Sequence, residues 1–376
     1  MIKIKHLPFA IYIFISLVLA ACQPGWQIEV TTQGEVTSQI TQEEVRFYLE
    51  KSEEEIEVVA LGQLLYKNGF TLIDRINLST ESEEITSFIW DEVAAIASVS
   101  EAGVITIGNE DFSPSAIDIT PSPLASEIYF SIMDIAPTMA QTLGLPPLPD
   151  AIGEVHISGK TEQAVMILLD GLQYHKLQTM IEAEKLPFLQ GIEEIHQGLT
   201  VYPPITTSAS AALLTGAPPQ INGVYGYGYR STELTTLFDL AVENGKTVVA
   251  VEGASLPFNL RNAESSLSGD RDGNGFSDDN VFANSLEVIE SGMPDLLYVH
   301  FHEIDDMGHN FGPDSPEYES ALIRVDNYLA QIYAALPADT FIAIVADHGM
   351  HTTDDGGNHG TLTASDLIIP IIFLDK

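Results

Sequence analysis

A single cysteine, Cys22, stands in a chain of 376 residues. No disulfide can form within the chain, so stability rests on the core and on any bound ions. Basic residues are scarce as well: 15 Lys and Arg against 54 Asp and Glu leave a formal charge of −39. A field of that sign repels polyanions, which argues against nucleic-acid polymers and anionic lipid surfaces as partners. A phosphorylated small molecule still fits such a chain where cations invert the local charge. Hydrophobic content of 45% over this length suffices for one large α/β domain with a smaller companion.

Within that chain, Phe341 to Gly360 (FIAIVADHGMHTTDDGGNHG) is the most informative stretch. Phe341 to Ala346 has the length and β-branched content of a buried strand, and it stops on Asp347, His348 and Gly349. Ligands bind at the carboxyl ends of strands in an open α/β sheet, and a carboxylate beside an imidazole suits zinc or a similar divalent ion. His359 follows in a Gly-rich loop that lets the backbone fold back. The pattern recurs. Gln163 to Leu169 ends on Asp170-Gly171, and Asp295 to Phe301 runs into His302, Glu303, Asp305 and His309. Six of the ten histidines lie between His300 and His359. His300, His302 and His351 read as groups that orient ligands rather than as ligands.

Tyr202 to Gly216 (YPPITTSASAALLTG) lies between the second and third of these strands. Pro203 and Pro204 bar regular structure, and Thr206, Thr207 and Ser208 lead into a small-residue helix over 209–214. A hydroxyl at a helix N-terminus is either a cap or a group facing an anion, and two adjacent threonines allow both.

In that order, ILLDG, YPPITTSASAALLTG, EIDDMGH, ADHGM and NHG resemble the nucleotide pyrophosphatase/phosphodiesterase branch of the alkaline phosphatase superfamily. The resemblance covers roughly the last two thirds of the chain. It implies an alkaline-phosphatase-like α/β fold: a mainly parallel, doubly wound sheet with helices on both faces. It implies Thr206 as nucleophile, Asp170, Asp347 and His348 as ligands of one metal, and Asp305, His309 and His359 as ligands of another. The cofactors implied are two divalent ions, zinc by preference, about 4 Å apart. The reaction implied is hydrolysis of phosphate esters, most suitably phosphodiester or pyrophosphate bonds of small molecules, through a phosphothreonine intermediate. Phosphomonoesters, phosphonates and sulfates are the alternative substrates, and a non-catalytic surface-binding lipoprotein is the alternative class. Sulfatases need Cys or Ser at the nucleophile, which ranks them last. Ala209 stands where the family often has Asn, so the usual phosphate-oxygen donor is missing.

The remainder of the chain is organised around that core. Lys3 and Lys5 precede an apolar run, Leu7 to Ala21, short for a membrane span of about 20 residues and ending Leu19-Ala20-Ala21-Cys22. It reads as a secretory signal whose ending resembles a bacterial lipobox, with Cys22 lipidated and the protein exported and anchored to a membrane. Residues 23–40 are expected to be a tether, 41–122 an accessory α+β region, and 123–376 the catalytic domain. Within the last, SIMDIAPTMAQTLGLPPLPDAIG resembles the helix and loop that superfamily members carry after their final core strand, yet it precedes the first strand here. The chain also stops just after Leu367 to Leu374. Both point to a circular permutation in which 131–143 packs beside 367–374. Ser231 to Glu243 reads as helix. In the loop GVYGYGYR, Tyr227 and Arg230 are candidates for contacting substrate. Asp270 to Asp279 (DRDGNGFSDD) resembles a calcium loop, with Asp270, Asp272, Asn274 and Asp278 as candidate ligands and Val281 where a bidentate Glu is usual.

Overall fold

The computed structural model describes residues 25–51, 56–82 and 84–376. Cys22 and the expected signal lie outside the described residues. Among the described residues, no helix is long and apolar enough to cross a membrane. The chain divides into two compact units. One holds the described residues up to Asn68 with Arg75–Ile89 and Ile96–Thr120; the other holds Gly69–Asp74, Trp90–Ala95 and Pro121–Lys376.

The smaller unit is α+β. It carries a five-stranded and a four-stranded sheet, with helices Gln42–Lys51 and Leu61–Lys67. The expected tether is instead a hairpin. Gln27–Thr32 pairs antiparallel with Glu35–Thr41, and Ile28, Val30 and Ile40 are buried. Alternate apolar residues among β-branched threonines favour a half-buried strand over a solvated linker. The expected boundary is corrected too, because Gly69–Asp74 and Trp90–Ala95 belong to the larger unit. There the buried Trp90 indole donates to the Leu362 carbonyl.

The larger unit is built on an eight-stranded sheet. Its strands are β1 (Phe130–Ser131), β2 (Ala164–Leu169), β3 (His196–Leu199), β4 (Val248–Glu252), β5 (Glu264–Leu267), β6 (Leu296–Phe301), β7 (Phe341–Ala346) and β8 (Ile368–Asp375), in the order β1-β3-β8-β7-β2-β6-β4-β5. Neighbours run parallel except at β8, which is antiparallel to β3 and β7. Every residue of β2, β6 and β7 is buried. Their unbroken apolar runs are the signature of strands covered on both faces.

The helices that matter for the site are α1 (Ile135–Thr142), α2 (Thr206–Thr215), α3 (Leu237–Glu243), α4 (Asp278–Gly292), α5 (Glu303–Phe311) and α6 (Pro316–Ala335). α2 starts at Thr206, three residues earlier than its small-residue core suggests. α3 is shorter than the sequence pattern predicts: Thr236 and Asp239 form a capping box that starts it at Leu237. α1 packs on α2, α3 and β7. After α1, the His156 ring lies 6.5 Å between centroids from Phe373 of β8.

Candidate active site

Strand register brings the chemistry to one edge. Leu169 of β2 lies opposite Phe301 of β6 and Ala346 of β7. The residues that follow, Asp170, His302 and Asp347, therefore leave the sheet at one level. Gly171, at φ +71°, turns the chain sharply after Asp170, and its N–H donates to Asp347 Oδ1 at 3.1 Å. α5 starts where Asp278 accepts the backbone N–H groups of His302 and Glu303, both at 2.9 Å. Asp305 and His309, four apart, thereby share a face, with His309 Nε2 3.3 Å from Asp305 Oδ2. His359 is brought back by its loop. Asp366 anchors that loop by accepting from Thr361 N–H and Oγ1 and by pairing with His351 Nδ1 at 2.8 Å.

All six sequence-predicted ligands converge. Asp170, Asp347 and His348 place ligand atoms within 4.8 Å of one another, as do Asp305, His348 and His359. His309 Nε2 lies 3.2 Å from His359 Nε2. His348 thus stands between the two sets, and its ring stacks on His359 at 3.7 Å. The donor chemistry fits divalent cations. The Nδ1 atoms of His309, His348 and His359 each face a backbone carbonyl, of Gly357, Gly349 and Pro204 respectively, at 3.0 to 3.1 Å. That holds an N–H at Nδ1 and turns the Nε2 atoms inward. Facing them, Asp170 Oδ1, Asp305 Oδ1 and Asp347 Oδ2 are buried with no hydrogen-bond partner. Unpaired buried carboxylate oxygens facing one cluster repel one another unless a cation lies between them.

Electrostatics follow from this crowding. Burial, then the charge of Asp170, pushes Asp347 up to about 7. Burial also opposes ionisation of Asp170, but the His300 and His302 imidazoles against it outweigh burial and hold that carboxyl well below its ordinary range. His348 is raised to about 9, because the Asp347 and Asp170 carboxylates overcome the effect of burial. His359 is lowered to about 4 by burial and by His348.

Thr206 is the first residue of α2, and its Oγ1 lies 3.3 Å from His348 Nε2. Its hydroxyl does not cap the helix; Ile205 occupies the cap position and no side chain takes the first-turn N–H groups. Those N–H groups are open to an anionic oxygen. Thr207, the competing hydroxyl, donates to the Gly226 carbonyl. Tyr227 reaches the site, with Oη 3.5 Å from His359 Nε2. Burial and the nearby carboxylates raise its hydroxyl above the ordinary tyrosine range. Arg230 is not brought to the metal-ligand cluster: its guanidinium donates to the Leu256 carbonyl.

The four candidate calcium ligands do not share a focus. Asp270 spends its oxygens on the N–H groups of Gly273, Asn274 and Gly275, Asp272 on Asn274, and Asn274 on the Phe276 N–H. Asp278 is fully buried, with both oxygens on the start of α5. The acidic spacing reflects a self-bonded turn followed by a buried helix-start anchor. Sequence reasoning missed two residues, Asp278 in that role and Glu252 at the end of β4. Glu252 contacts His300 Nδ1 at 3.1 Å and His302 Nε2 at 2.9 Å. Its signal was a strand ending on an acid, the same one that marked Asp170.

Similarity to known proteins bears on this geometry. GPI ethanolamine phosphate transferase 3, catalytic subunit, of Homo sapiens is 32% identical over 88 residues, 23% of this chain and 8% of that protein. GPI ethanolamine phosphate transferase 2 of Kluyveromyces lactis is 33% identical over 82 residues, 22% of this chain and 10% of that protein. The chain thus aligns with no more than about a tenth of these relatives' length. Among solved structures, phosphonoacetate hydrolase from Sinorhizobium meliloti 1021 with phosphonoformate gives a TM-score of 0.41 at 21% identity, over 54% of this chain and 57% of that one. Murine ectonucleotide pyrophosphatase/phosphodiesterase 5 gives 0.39 at 18%, over 51% and 58%. Residues 164–252 and 245–368 match the family described as type I phosphodiesterase/nucleotide pyrophosphatase. That match takes in more than half of the sequence and all seven convergent residues from Asp170 to His359, and the chain belongs to this family.

Proposed function

We propose that the chain hydrolyses phosphodiester or pyrophosphate bonds of small molecules, with Thr206 as nucleophile and two divalent cations, zinc by donor set. Asp170, Asp347 and His348 would hold one, and Asp305, His309 and His359 the other, with His348 near both. The observation carrying this reading is the uncapped Thr206 hydroxyl 3.3 Å from His348 Nε2, beside three buried carboxylate oxygens without partners. Bound cations would supply charge to lower the pKa of the threonine hydroxyl and to neutralise phosphoryl oxygens. Thr206 Oγ1 attacks phosphorus, and the bond to the leaving oxygen breaks as the phosphothreonine forms. Water then cleaves the phosphothreonine and restores the hydroxyl. The first-turn N–H groups of α2 face the phosphoryl oxygens, in place of the Asn donor that Ala209 lacks. Tyr227 lines the approach to His359.

Nitrophenyl diesters assayed against nitrophenyl monoesters with added zinc test this reading. Preference for diesters is expected; preference for monoesters moves the function to phosphomonoesters. A second reading, transfer of the phosphoryl group to an alcohol, is favoured by the relatives named as phosphate transferases, and adding glycerol or ethanolamine to the assay separates it from hydrolysis. We also propose export with lipid attachment at Cys22, tested by metabolic labelling with palmitate. The circular permutation is proposed on the packing of α1 against β7, next to β8; fusing the termini and reopening the chain before residue 164 should leave activity intact.

A further inference from the structure

On the side of Asp170 away from Asp347, two imidazoles lie between two carboxylates. His300 directs Nε2 to Asp170 Oδ2 at 3.2 Å and Nδ1 to Glu252 Oε1 at 3.1 Å. His302 directs Nδ1 to the same Asp170 oxygen at 3.4 Å and Nε2 to Glu252 Oε2 at 2.9 Å. The two ring centroids lie 3.8 Å apart, with the planes tilted by 37°. His300, Asp170 and Glu252 are buried, and the His302 side chain is 20% exposed. Each ring therefore presents both nitrogens to acceptors. A neutral imidazole has one N–H, so one nitrogen of each ring is left lone pair against lone pair.

The shorter contacts are at Glu252: 3.1 against 3.2 Å for His300 and 2.9 against 3.4 Å for His302. Glu252, at 2.9 and 3.1 Å, has the geometry of an acceptor for one N–H from each ring. Placing the protons there leaves His300 Nε2, His302 Nδ1 and Asp170 Oδ2 pointing at one another without a hydrogen. Those three atoms form a group able to hold a metal ion. Separations of 3.2 and 3.4 Å match the ligand-to-ligand edges of a tetrahedral zinc site, about 3.3 Å for bonds near 2.05 Å. We infer that Asp170 Oδ2, His300 Nε2 and His302 Nδ1 form a third cation site, with Glu252 accepting an N–H from each imidazole. Two nitrogens and one carboxylate oxygen select zinc or a similar transition ion over magnesium or calcium. The partly exposed edge of His302 is the way in. Asp170 then serves two ions through its two oxygens, which deepens the role given to it above without depending on the reaction proposed there.

The competing arrangement is an extra proton on each ring, giving two imidazolium ions between two carboxylates and no metal. Zinc titration of the chelator-treated full chain, with metal content read by mass spectrometry after gel filtration, separates the two. Three ions per chain are expected, with His302→Gln binding one fewer while His359→Ala keeps the His302-dependent ion. Equal stoichiometry in the wild type and His302→Gln overturns the site. Should His302→Gln not fold, Glu252→Gln takes its place, and a wild-type maximum of two ions overturns the proposal without any variant. Absence of phosphoesterase activity in the wild-type chain carrying all its ions, including the His302-dependent one, would sink the catalytic reading and leave this site standing.

Discussion

The N–H of Gly171 donates to Asp347 Oδ1 at 3.1 Å, tying the turn after β2 to the carboxylate at the end of β7. The same glycine has φ +71°, and a Cβ on it would lie 2.8 Å from Asp305 Oδ1. Gly171→Ala must therefore strain the turn, by about 1 to 2 kcal/mol, and push Asp305 aside as well. The expected outcome is a lower melting temperature and the loss of at least one bound cation per chain, read by metal analysis. Unchanged metal content would mean that this turn does not position Asp305.

Replacing Thr206 separates nucleophile from scaffold. Thr206→Ala is expected to lower kcat on a diester by about 10⁴-fold or more, with metal content unchanged. Thr206→Ser, which keeps the hydroxyl, should retain measurable turnover. Full activity in Thr206→Ala would transfer the role to Ser208, whose buried Oγ has no partner.

Cation loading is expected to depend on pH with a definite sign. A cation needs the neutral imidazole, and His348 holds its proton up to about 9. His359, lowered to about 4, is already neutral. Binding to the stripped protein thus displaces a proton from His348 across neutral pH, and one from Asp347 as well below about 7, so affinity rises with pH, by up to about tenfold per unit for each proton displaced, and levels off above about 9. Competition titrations with a zinc indicator at pH 6, 7 and 8 read this directly; an affinity independent of pH would contradict it.

The sequence made the strands and their terminal ligands legible because a buried parallel strand writes itself as an unbroken apolar run, and a ligand at its end interrupts that run with a carboxylate. Asp170, Asp347 and His348 are of this kind. Residues whose role is set by distant backbone were not legible. Asp278 sits in an acidic stretch and looks like its neighbours, yet its carboxylate meets N–H groups 24 and 25 residues away. Arg230 lies beside tyrosines in a loop, and which way its guanidinium points depends on Leu256. The hairpin at 27–41 was missed because threonine and glutamine composition outweighed the alternation of Ile28 and Val30.

Asp278 offers the sharpest separation of a helix-start anchor from a calcium ligand. Its two oxygens satisfy the His302 and Glu303 N–H groups, and it is buried, which pushes its carboxyl up to about 6. Removing it leaves two N–H groups unpaired at the start of α5, the helix that carries Asp305 and His309. Asp278→Ala is therefore expected to cost about 2 kcal/mol or more and to weaken cation binding at Asp305, with Asp278→Asn losing less because one oxygen remains. Asp272→Ala, in the exposed turn, should change stability by no more than about 0.5 kcal/mol. Urea unfolding of the three variants, with and without millimolar calcium, checks this. If Asp272→Ala proves as damaging as Asp278→Ala, and calcium stabilises only the wild type, the turn is an ion site and the anchor reading fails.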